Sequence, residues 1–452
     1  MRRAASSLWR YYASSSVVLP SLPSRQYGLL HTETNPKQRI VVGVSGGVDS
    51  AVAALLLKQA GHDVVGVFMR NWDEAEETGN RNCSIERDLK DASAVCRQLN
   101  IPLHEADFVS QYWNHVFSHF LSECSRGLTP NPDLACNRYI KFGALLEFAR
   151  SLGAEAVATG HYARLQKASV PGGGVDGPVA LLKGVDSAKD QSYFLASVEV
   201  EALRHVMFPV GGYTKGEVRR MAAEAGLGPV VEKRSSAGIC FIGRRKFSDF
   251  LSEYLPPILG KFIDVDSGGE RGECENVGAV TFGQRPGIGG VATRTYVAGK
   301  DMNKKVVYVA VGKDHPALFT RTACLREPHW LSTVHRELVA SKGELRCEYK
   351  ARYGQPALPC TIKVMGARNG MEFTPSAFCG LLEADAVVGP GFLVVEFDEP
   401  AASITPQQMF VMYDGDVCIG SAAIALPGQT VFEEERHTKR GGRVKRTYPY
   451  TD

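Results

Sequence analysis

The sequence predicts an α/β chain in three parts: an N-terminal domain with a parallel sheet, a small central mostly-β domain and a C-terminal antiparallel β-barrel. Three observations predict it. From Arg39 onward, apolar β-branched runs alternate with amphipathic helical runs, which calls for crossover connections and parallel strands. Past about Pro256 the strands shorten, glycine rises and long helical patterns stop. From about Trp330, short apolar segments alternate with turns, the pattern of a small barrel. The expected divisions are a leader over 1–37, the parallel-sheet domain over 38–250, the central domain over 251–329, the barrel over 330–430 and a basic tail over 431–452.

The elements follow in order. "RIVVGV" reads as a buried strand and "DSAVAALLLKQAG" as a helix, with Gly61 just past its end. "DVVGVFM", "IPLHEADF" and "GAEAVATGHY" read as further strands, "DLKDASAVCRQLN" and "YWNHVFSHFLSECSRG" as helices between them. "SVPGGGVDGP" is a Gly/Pro loop, a hairpin or an insertion. "YTKGEVRRMAAEAGLG" is a helix capped by Thr214 and ended at Gly226. "GGERGECENVGAVTFGQRPGIGG" is loop-like, while "ELRCEYKARYG", "PCTIKVMG", "GFLVVEFDEP" and "QMFVMYDGDVCIGSAAIAL" are barrel strands. The end, "FEEERHTKRGGRVKRTYPYTD", reads as a solvated tail, basic over Lys439–Arg446.

Composition narrows the class. The hydrophobic fraction is 44%, and no window reaches the ~18 uninterrupted apolar residues of a membrane span. Lys and Arg number 52 against 49 Asp and Glu, a surplus of 52 − 49 = 3 that neither demands nor excludes nucleic acid. The 11 cysteines stand singly without a CxxC, so zinc-ribbon and iron–sulfur spacings are absent and a disulfide framework is not indicated. The first 39 residues are rich in Arg and Ser, and their first acid is Glu33. That is the composition of an organelle transit peptide, mitochondrial rather than plastid on its early arginines, with a merely disordered N-terminus as the alternative.

In "VGVSGGVDSAV" a strand ends, a glycine-rich loop turns and a helix begins, which aims backbone N–H groups and a positive helix end at one point. Gly46 and Gly47 allow close approach of an anion; Ser45 and Ser50 add hydroxyls. A Walker loop would carry a lysine here. This loop carries Asp49 instead, suited to holding Mg²⁺ against a pyrophosphate, so the expectation is ATP cleaved between its α and β phosphates. The string resembles the signature of the PP-loop ATP pyrophosphatases, the adenine nucleotide α hydrolase-like fold. That resemblance implies adenylation of an oxygen that a nucleophile then displaces with AMP.

Two cysteines sit in electropositive settings. Cys136 lies near the start of a helix opened by "TPNPDLACN", and a helix N-terminus lowers a thiol's pKa. Cys240, in "SSAGICFIGRRKF", is surrounded by Arg234, Arg244, Arg245 and Lys246. The ordered set "GVFMRNWDE", "TPNPDLACN", "ATGHYARL", "KDQSYFL", "GICFIGRRKF" and "FGQRPGIGG" closely resembles the tRNA-specific 2-thiouridylases over about Arg39–Pro427, and the leader points to the mitochondrial branch.

The resemblance implies the site residue by residue. Gly43, Val44, Ser45, Gly46, Gly47, Val48, Asp49 and Ser50 would hold the ATP phosphates, Met69 would lie by the adenine and Gly160 would line the nucleotide pocket. Asn131, Pro132 and Asp133 match the segment touching the target base, and Cys136 and Cys240 match the catalytic pair. Lys189, Asp190 and Gln191 match one tRNA-contacting segment, Arg352 and Tyr353 another. ATP with Mg²⁺, the tRNA anticodon loop, an upstream sulfur donor and a reductant are the implied partners. Sulfur reaches uridine C2 either from a Cys240 persulfide that Cys136 resolves or from hydrosulfide released in the pocket. Asp133 acts as general acid/base or orients the base. His161 reads as a structural hydrogen-bonder, and Cys83, Cys96 and Cys418 as structural. The family's barrel reads "GQ" before its "FYDG" strand; here it is "PQQMFVMYDGDVC". The rival reading is an RNA-binding PP-loop protein without sulfur transfer.

Overall fold

A computed structural model describes residues 37–72, 84–167, 178–233, 241–242, 245–288, 293–366, 373–380 and 391–439. The leader, Cys83, Arg234, Cys240, Arg244 and the end of the basic tail lie outside the described residues. Among the described residues, no helix is long and apolar enough to cross a membrane.

Five strands form the N-terminal parallel sheet: β1 (Arg39–Gly43), β2 (Asp63–Arg70), β3 (Leu103–Asp107), β4 (Ala156–Ala158) and β7 (Val206–Met207), in the order β3-β2-β1-β4-β7. The strand period of two sorts side chains between the faces: Ile40 and Val42 enter one core and Val41 the other. Helices α1 (Val48–Gln59) and α2 (Ser84–Gln98) cover the first face, with α5 (Lys215–Glu224). The second face is covered by α3 and α4. Helix α3 runs through Val109–Tyr112, Trp113–Phe117 and Ser118–Ser125; α4 runs through Pro132–Ala135, Cys136–Ala144 and Leu145–Ser151. The middle stretch of each is π-helical, a local widening that recurs at functional sites. Helix α6 (Phe247–Tyr254) completes that face. Thr214 caps α5 with a reciprocal capping box to Glu217, and Gly226 follows in the left-handed region, φ +71°.

Strand order reverses at β1, which has β2 on one side and β4 on the other. The loops leaving β1 and β4 therefore diverge and open a crevice at the carboxyl edge of the sheet. The glycine loop and "TGHY" are those two loops.

The central sheet has the order β15-β10-β11-β8-β9, built from β8 (Gly260–Asp264), β9 (Glu270–Cys274), β10 (Thr295–Asp301), β11 (Val306–Val311) and β15 (Cys379–Gly380). The barrel is six antiparallel strands closed by the β12–β18 pairing: β12 (Phe319–Trp330), β16 (Leu393–Ala402), β14 (Leu358–Val364), β13 (Glu344–Lys350), β17 (Met409–Asp414) and β18 (Val417–Pro427).

Four features depart from the sequence expectation. Strand β12 puts the start of the barrel at Phe319 rather than 330, because its residues pair with β16 and β18. Strands β5 (Ala163–Lys167) and β6 (Val179–Lys183) form a hairpin that extends the barrel sheet through β18, so the N-terminal domain grips the barrel by backbone pairing. Its Gly/Pro connection lies outside the described residues. Helix α7 (Thr333–Lys342), capped by Ser332 and ended by left-handed Gly343, interrupts the strands. The expected tail begins as a helix, α8 (Val431–Lys439). Thr430 and Glu433 cap its first turn, and the Glu433 carboxylate also accepts from Ser376 Oγ and Ala377 N.

Where the family reads "GQ", Gln407 is left-handed at φ +70°, a conformation glycine takes without strain. Its amide bonds Glu123 of α3 and accepts from Arg326 at 2.5 Å, while Gln408 Nε2 donates to Thr129 O at 2.7 Å. The departure thus supplies a bond between barrel and catalytic domain. A second tie is the buried Asp190–Lys350 pair, 2.8 Å apart. Asp190 also accepts the Gly184 and Ser192 N–H groups. Lys350→Met should lower stability by about 3–5 kcal/mol, since it strands a buried carboxylate. Adding Asp190→Asn should restore part of that loss, read by denaturant unfolding.

Candidate active site

Ser45–Ser50 turn from β1 into α1 at the crevice. The first N–H groups of α1, from Val48, Asp49 and Ser50, have no acceptor within the helix. Ser50 Oγ accepts from Ser45 N at 3.1 Å and donates to Gly47 O at 3.1 Å, which fixes the loop's curvature. Gly46 is left-handed, φ +68°, and a Cβ there would stand 2.3 Å from the Asp88 carbonyl of α2. Gly160 packs as closely from the other side: a Cβ would lie 2.6 Å from both Asp49 C and Ser50 N. The Met69 methyl would be 3.5 Å from a Cβ on Gly43, so its side chain covers the end of β1. The structure thus brings Gly43–Ser50, Met69 and Gly160 together at one edge of the sheet.

The loop lacks a lysine of its own, but two reach it from elsewhere. Lys215, the first residue of α5, holds the two Asp49 oxygens at 2.6 and 2.7 Å, and Tyr162 OH donates to Asp49 at 2.7 Å. Burial first, and Asp49 second, push the Tyr162 hydroxyl far above its ordinary pKa, so it remains a donor. Lys233 donates to Gly46 O at 3.0 Å, to Asp88 at 2.6 Å and to Asp91 at 2.7 Å. Sequence reasoning missed Lys215, Tyr162 and Lys233 as site residues. Lys215 follows an N-cap it had recognised and Tyr162 ends "TGHY"; Lys233 left no local signal. The cradle of N–H groups, hydroxyls and two ammonium groups suits a polyphosphate. A Mg²⁺ on Asp49 would have to share that carboxylate with Lys215.

Asn131 caps α4 by accepting from Asp133 N at 3.1 Å, and Pro132 occupies the first helical position. Cys136 comes one turn later, 5% exposed, in the same core as Leu145 and Phe241. Arg138 is paired with Glu199, so its charge is answered there and not at the thiol. Phe241, the residue after Cys240, is 2% exposed and lies 5.1 Å from Phe117, 5.2 Å from Phe120 and 5.7 Å from Trp72 between ring centroids. Arg245 donates to Phe241 O at 2.6 Å and pairs with Glu253, so it anchors this segment. The chain on the C-terminal side of Cys240 is therefore fixed in the core that contains Cys136.

Burial raises the Asp133 pKa and Lys141 opposes the rise. A raised folded-state pKa means the native state binds the proton more tightly than the unfolded chain does. Stability from this group is then present below the unfolded value, about 3.9, and is lost as pH rises through the folded value. Asp133→Asn should raise the melting temperature at pH 7, and the gain should vanish on titration to acid pH. His161 is held neutral by burial and by Lys141; its Nδ1 lies 2.7 Å from Thr159 Oγ1, and its ring sits between Phe142 and Phe208. It is a structural hydrogen-bonder in this fold. Cys96 and Cys418 are buried, and burial pushes the Cys96 thiol up to about 11.

The two expected tRNA segments also meet. A cavity of about 750 Å³ is lined by Arg164, Lys183, Asp190, Lys350, Tyr353 and Gln355, among others. The Tyr353 ring packs against Phe194, tilted by 33° with centroids 4.5 Å apart. Within them, Asp190 is buried and engaged by Lys350, and Gln191 Oε1 accepts from Tyr162 N at 2.9 Å. Arg352 donates to Ser403 O at 2.6 Å. Asp190 is thus held within the protein, while Lys189, Gln191 and Tyr353 are half-exposed and Arg352 is exposed.

Residues 38–244 match the family model described as the tRNA methyl transferase HUP domain, residues 248–311 its PRC-barrel domain and residues 383–424 the aminomethyltransferase beta-barrel domain. The chain is 41% identical over 389 residues to the mitochondrial tRNA-specific 2-thiouridylase 1 of Drosophila melanogaster, covering 86% of this chain and 94% of that one. It is 43% identical over 394 residues to the tRNA-specific 2-thiouridylase MnmA of Escherichia coli O1:K1 / APEC, covering 86% and 96%. This chain belongs to the tRNA-specific 2-thiouridylases. At that coverage the 2-thiouridylase relatives span the catalytic domain, the central domain and the barrel alike.

Proposed function

We propose that this chain is a tRNA-uridine 2-sulfurtransferase that replaces the C2 oxygen of the wobble uridine with sulfur. The observation that carries this is the pairing of a lysine-fed phosphate loop with a helix-borne cysteine, Cys136, in a chain of this family. ATP, when bound, supplies the adenylyl group that makes the uridine C2 oxygen a leaving group, and AMP departs with it. Gly43–Ser50 and Gly160 cradle the phosphates, Met69 flanks the adenine, and Lys215 and Lys233 answer the phosphate charge. Asp49 would hold a Mg²⁺ that neutralises phosphate charge, sharing its carboxylate with Lys215.

Asn131, Pro132 and Asp133 receive the target base, which leaves the anticodon stack at small cost. The raised pKa of Asp133 suits it to hold or pass a proton there. A persulfide on Cys240, loaded by a sulfur donor, attacks C2 through its outer sulfur. The Cys136 thiolate then attacks Cys240 Sγ, the Cys240–sulfur bond breaks, sulfur stays on the base and a Cys136–Cys240 disulfide forms. A dithiol reductant returns both thiols. Tyr353, which lines the 750 Å³ cavity, contacts the tRNA together with the neighbouring Lys189 and Arg352.

The mitochondrial relative and the Arg/Ser-rich leader support a mitochondrial matrix location. The test is reconstitution: full-length chain, unmodified tRNA, ATP–Mg²⁺, a cysteine desulfurase with cysteine as persulfide donor and a dithiol reductant, with nucleosides read by mass spectrometry. The expected product is 2-thiouridine with AMP and pyrophosphate. Methylated uridine in place of thiouridine, or binding of tRNA without either product, would overturn the reading.

A further inference from the structure

The cations so far placed at the site have carboxylate partners: Lys215 has Asp49, Lys233 has Asp88 and Asp91, and Arg138 has Glu199. Lys141 of α4 differs. It is half-buried, and among the described residues it makes no hydrogen bond and no ion pair. Drawing an ammonium part-way out of water without a partner is unfavourable, so the position calls for a reason. Its place on the helix supplies one. Helix α4 begins at the target-base segment, with Asn131 as its cap and Asp133 in its first turn. It continues into the π-helical stretch Cys136–Ala144, whose backbone bonds run to the fifth residue back, as from Leu145 N to Ile140 O. Residues five apart therefore stack on one face, and Lys141 stands one turn above Cys136. In an ordinary α-helix the two would diverge by about 140°. The next residue, Phe142, packs against His161 with ring centroids 5.8 Å apart. His161 follows Gly160, which abuts the phosphate loop at Asp49 and Ser50. Lys141 thus lies between the segment for the base and the segment for the phosphates. Its charge is felt on both sides: burial comes first at Asp133 and at His161, and Lys141 second, opposing the rise of the one and helping to hold the other neutral.

We propose that the Lys141 ammonium is a catalytic group that binds the α-phosphate as it passes from ATP to the uridine C2 oxygen. The inference rests on the functional reading above and adds a residue to it. In this step the C2 oxygen forms a bond to the α-phosphorus. The bond from that phosphorus to the bridging oxygen of the β-phosphate breaks, and pyrophosphate leaves with the electron pair. The uracil N3 proton passes to the Asp133 carboxylate. Negative charge gathers on the non-bridging oxygens of the α-phosphate, between base and cradle, where a pre-placed ammonium stabilises it without reorganising. An ammonium with no carboxylate of its own gives up no ion pair to do this, whereas Lys215 and Lys233 each would. The same contact persists while sulfur displaces AMP, so Lys141 also holds the leaving group.

The test compares full-length wild type and Lys141→Met with unmodified tRNA and ATP–Mg²⁺ and no sulfur donor. Adenylation is then read alone, as tRNA-dependent pyrophosphate release in a single turnover. Three further readouts do not depend on turnover: the tRNA dissociation constant, the melting temperature, and the acylation rate of Lys141 in wild type by an amine reagent. The last is followed by peptide mass spectrometry with tRNA, in the presence and absence of α,β-methylene ATP. Lys141→Met should slow pyrophosphate release about 10²–10³-fold. Its tRNA affinity should be unchanged, and its melting temperature should not fall, because no native partner is lost. The analogue should slow acylation of Lys141. Pyrophosphate release at the wild-type rate in Lys141→Met, or acylation indifferent to the analogue, overturns the inference alone. So does a defect confined to tRNA affinity, which would make Lys141 a contact to the RNA backbone, or one accompanied by a lower melting temperature, which would make it structural. A wild-type chain that releases no tRNA-dependent pyrophosphate overturns the functional reading itself.

Discussion

Cys136→Ser is expected to abolish 2-thiouridine formation from a persulfide donor while ATP binding and the fold survive. Serine is nearly the same size and Cys136 packs at 5% exposure, so neither a cavity nor a clash results. The phosphate cradle is built from β1, β4, α5 and Lys233, none of which needs the thiol. What disappears is the group that breaks the Cys240–sulfur bond. Removing a nucleophile of this kind costs on the order of 10³-fold or more, and the modified tRNA should stay joined to Cys240 through sulfur. That adduct is visible by denaturing gel and by intact mass. Substantial turnover by Cys136→Ser with the same donor would show that sulfur leaves Cys240 without a resolving thiol, as in the hydrosulfide route.

Gly160→Ala is expected to disable the nucleotide site. The added methyl would lie 2.6 Å from Asp49 C and Ser50 N, both backbone atoms that cannot step aside as a side-chain tip can. The loop must move by a substantial part of an ångström, and misplacement on that scale costs about 10²-fold in kcat/KM. Gly47→Ala makes the internal contrast. Its nearest neighbour would be Ser45 Oγ at 3.4 Å, and its φ of −105° suits any residue. ATP titrations of AMP formation should separate the two. Equal effects from both would mean that the loop tolerates displacement and that its geometry is not the source of binding.

The order of strands and helices in the N-terminal domain was legible because its periodicity is strong and local. The anion site followed from the glycine string alone. The two cations of the cradle were not legible: Lys215 and Lys233 stand 166 and 187 residues from the loop residues they bond, and only the folded sheet brings them there. The β5–β6 hairpin reads as part of the catalytic domain, yet its hydrogen bonds go to β18, because an edge strand pairs with whatever backbone lies beside it. The helix Val431–Lys439 carried a readable Thr430-x-x-Glu433 capping box, obscured by the basic run that follows it. Gln407 shows the reverse case. A departure from the family's glycine reads as a detail in sequence and proves to hold two domains together through its side chain.

The central claim is that this chain puts sulfur on tRNA by way of its two cysteines. The most direct measurement is nucleoside mass spectrometry of organellar tRNA from cells lacking the protein, complemented by wild type, Cys136→Ser or Cys240→Ser. The account predicts that 2-thiouridine derivatives vanish on loss and return with wild type alone. Thiouridine that persists without the protein, or that returns with either cysteine variant, would contradict it.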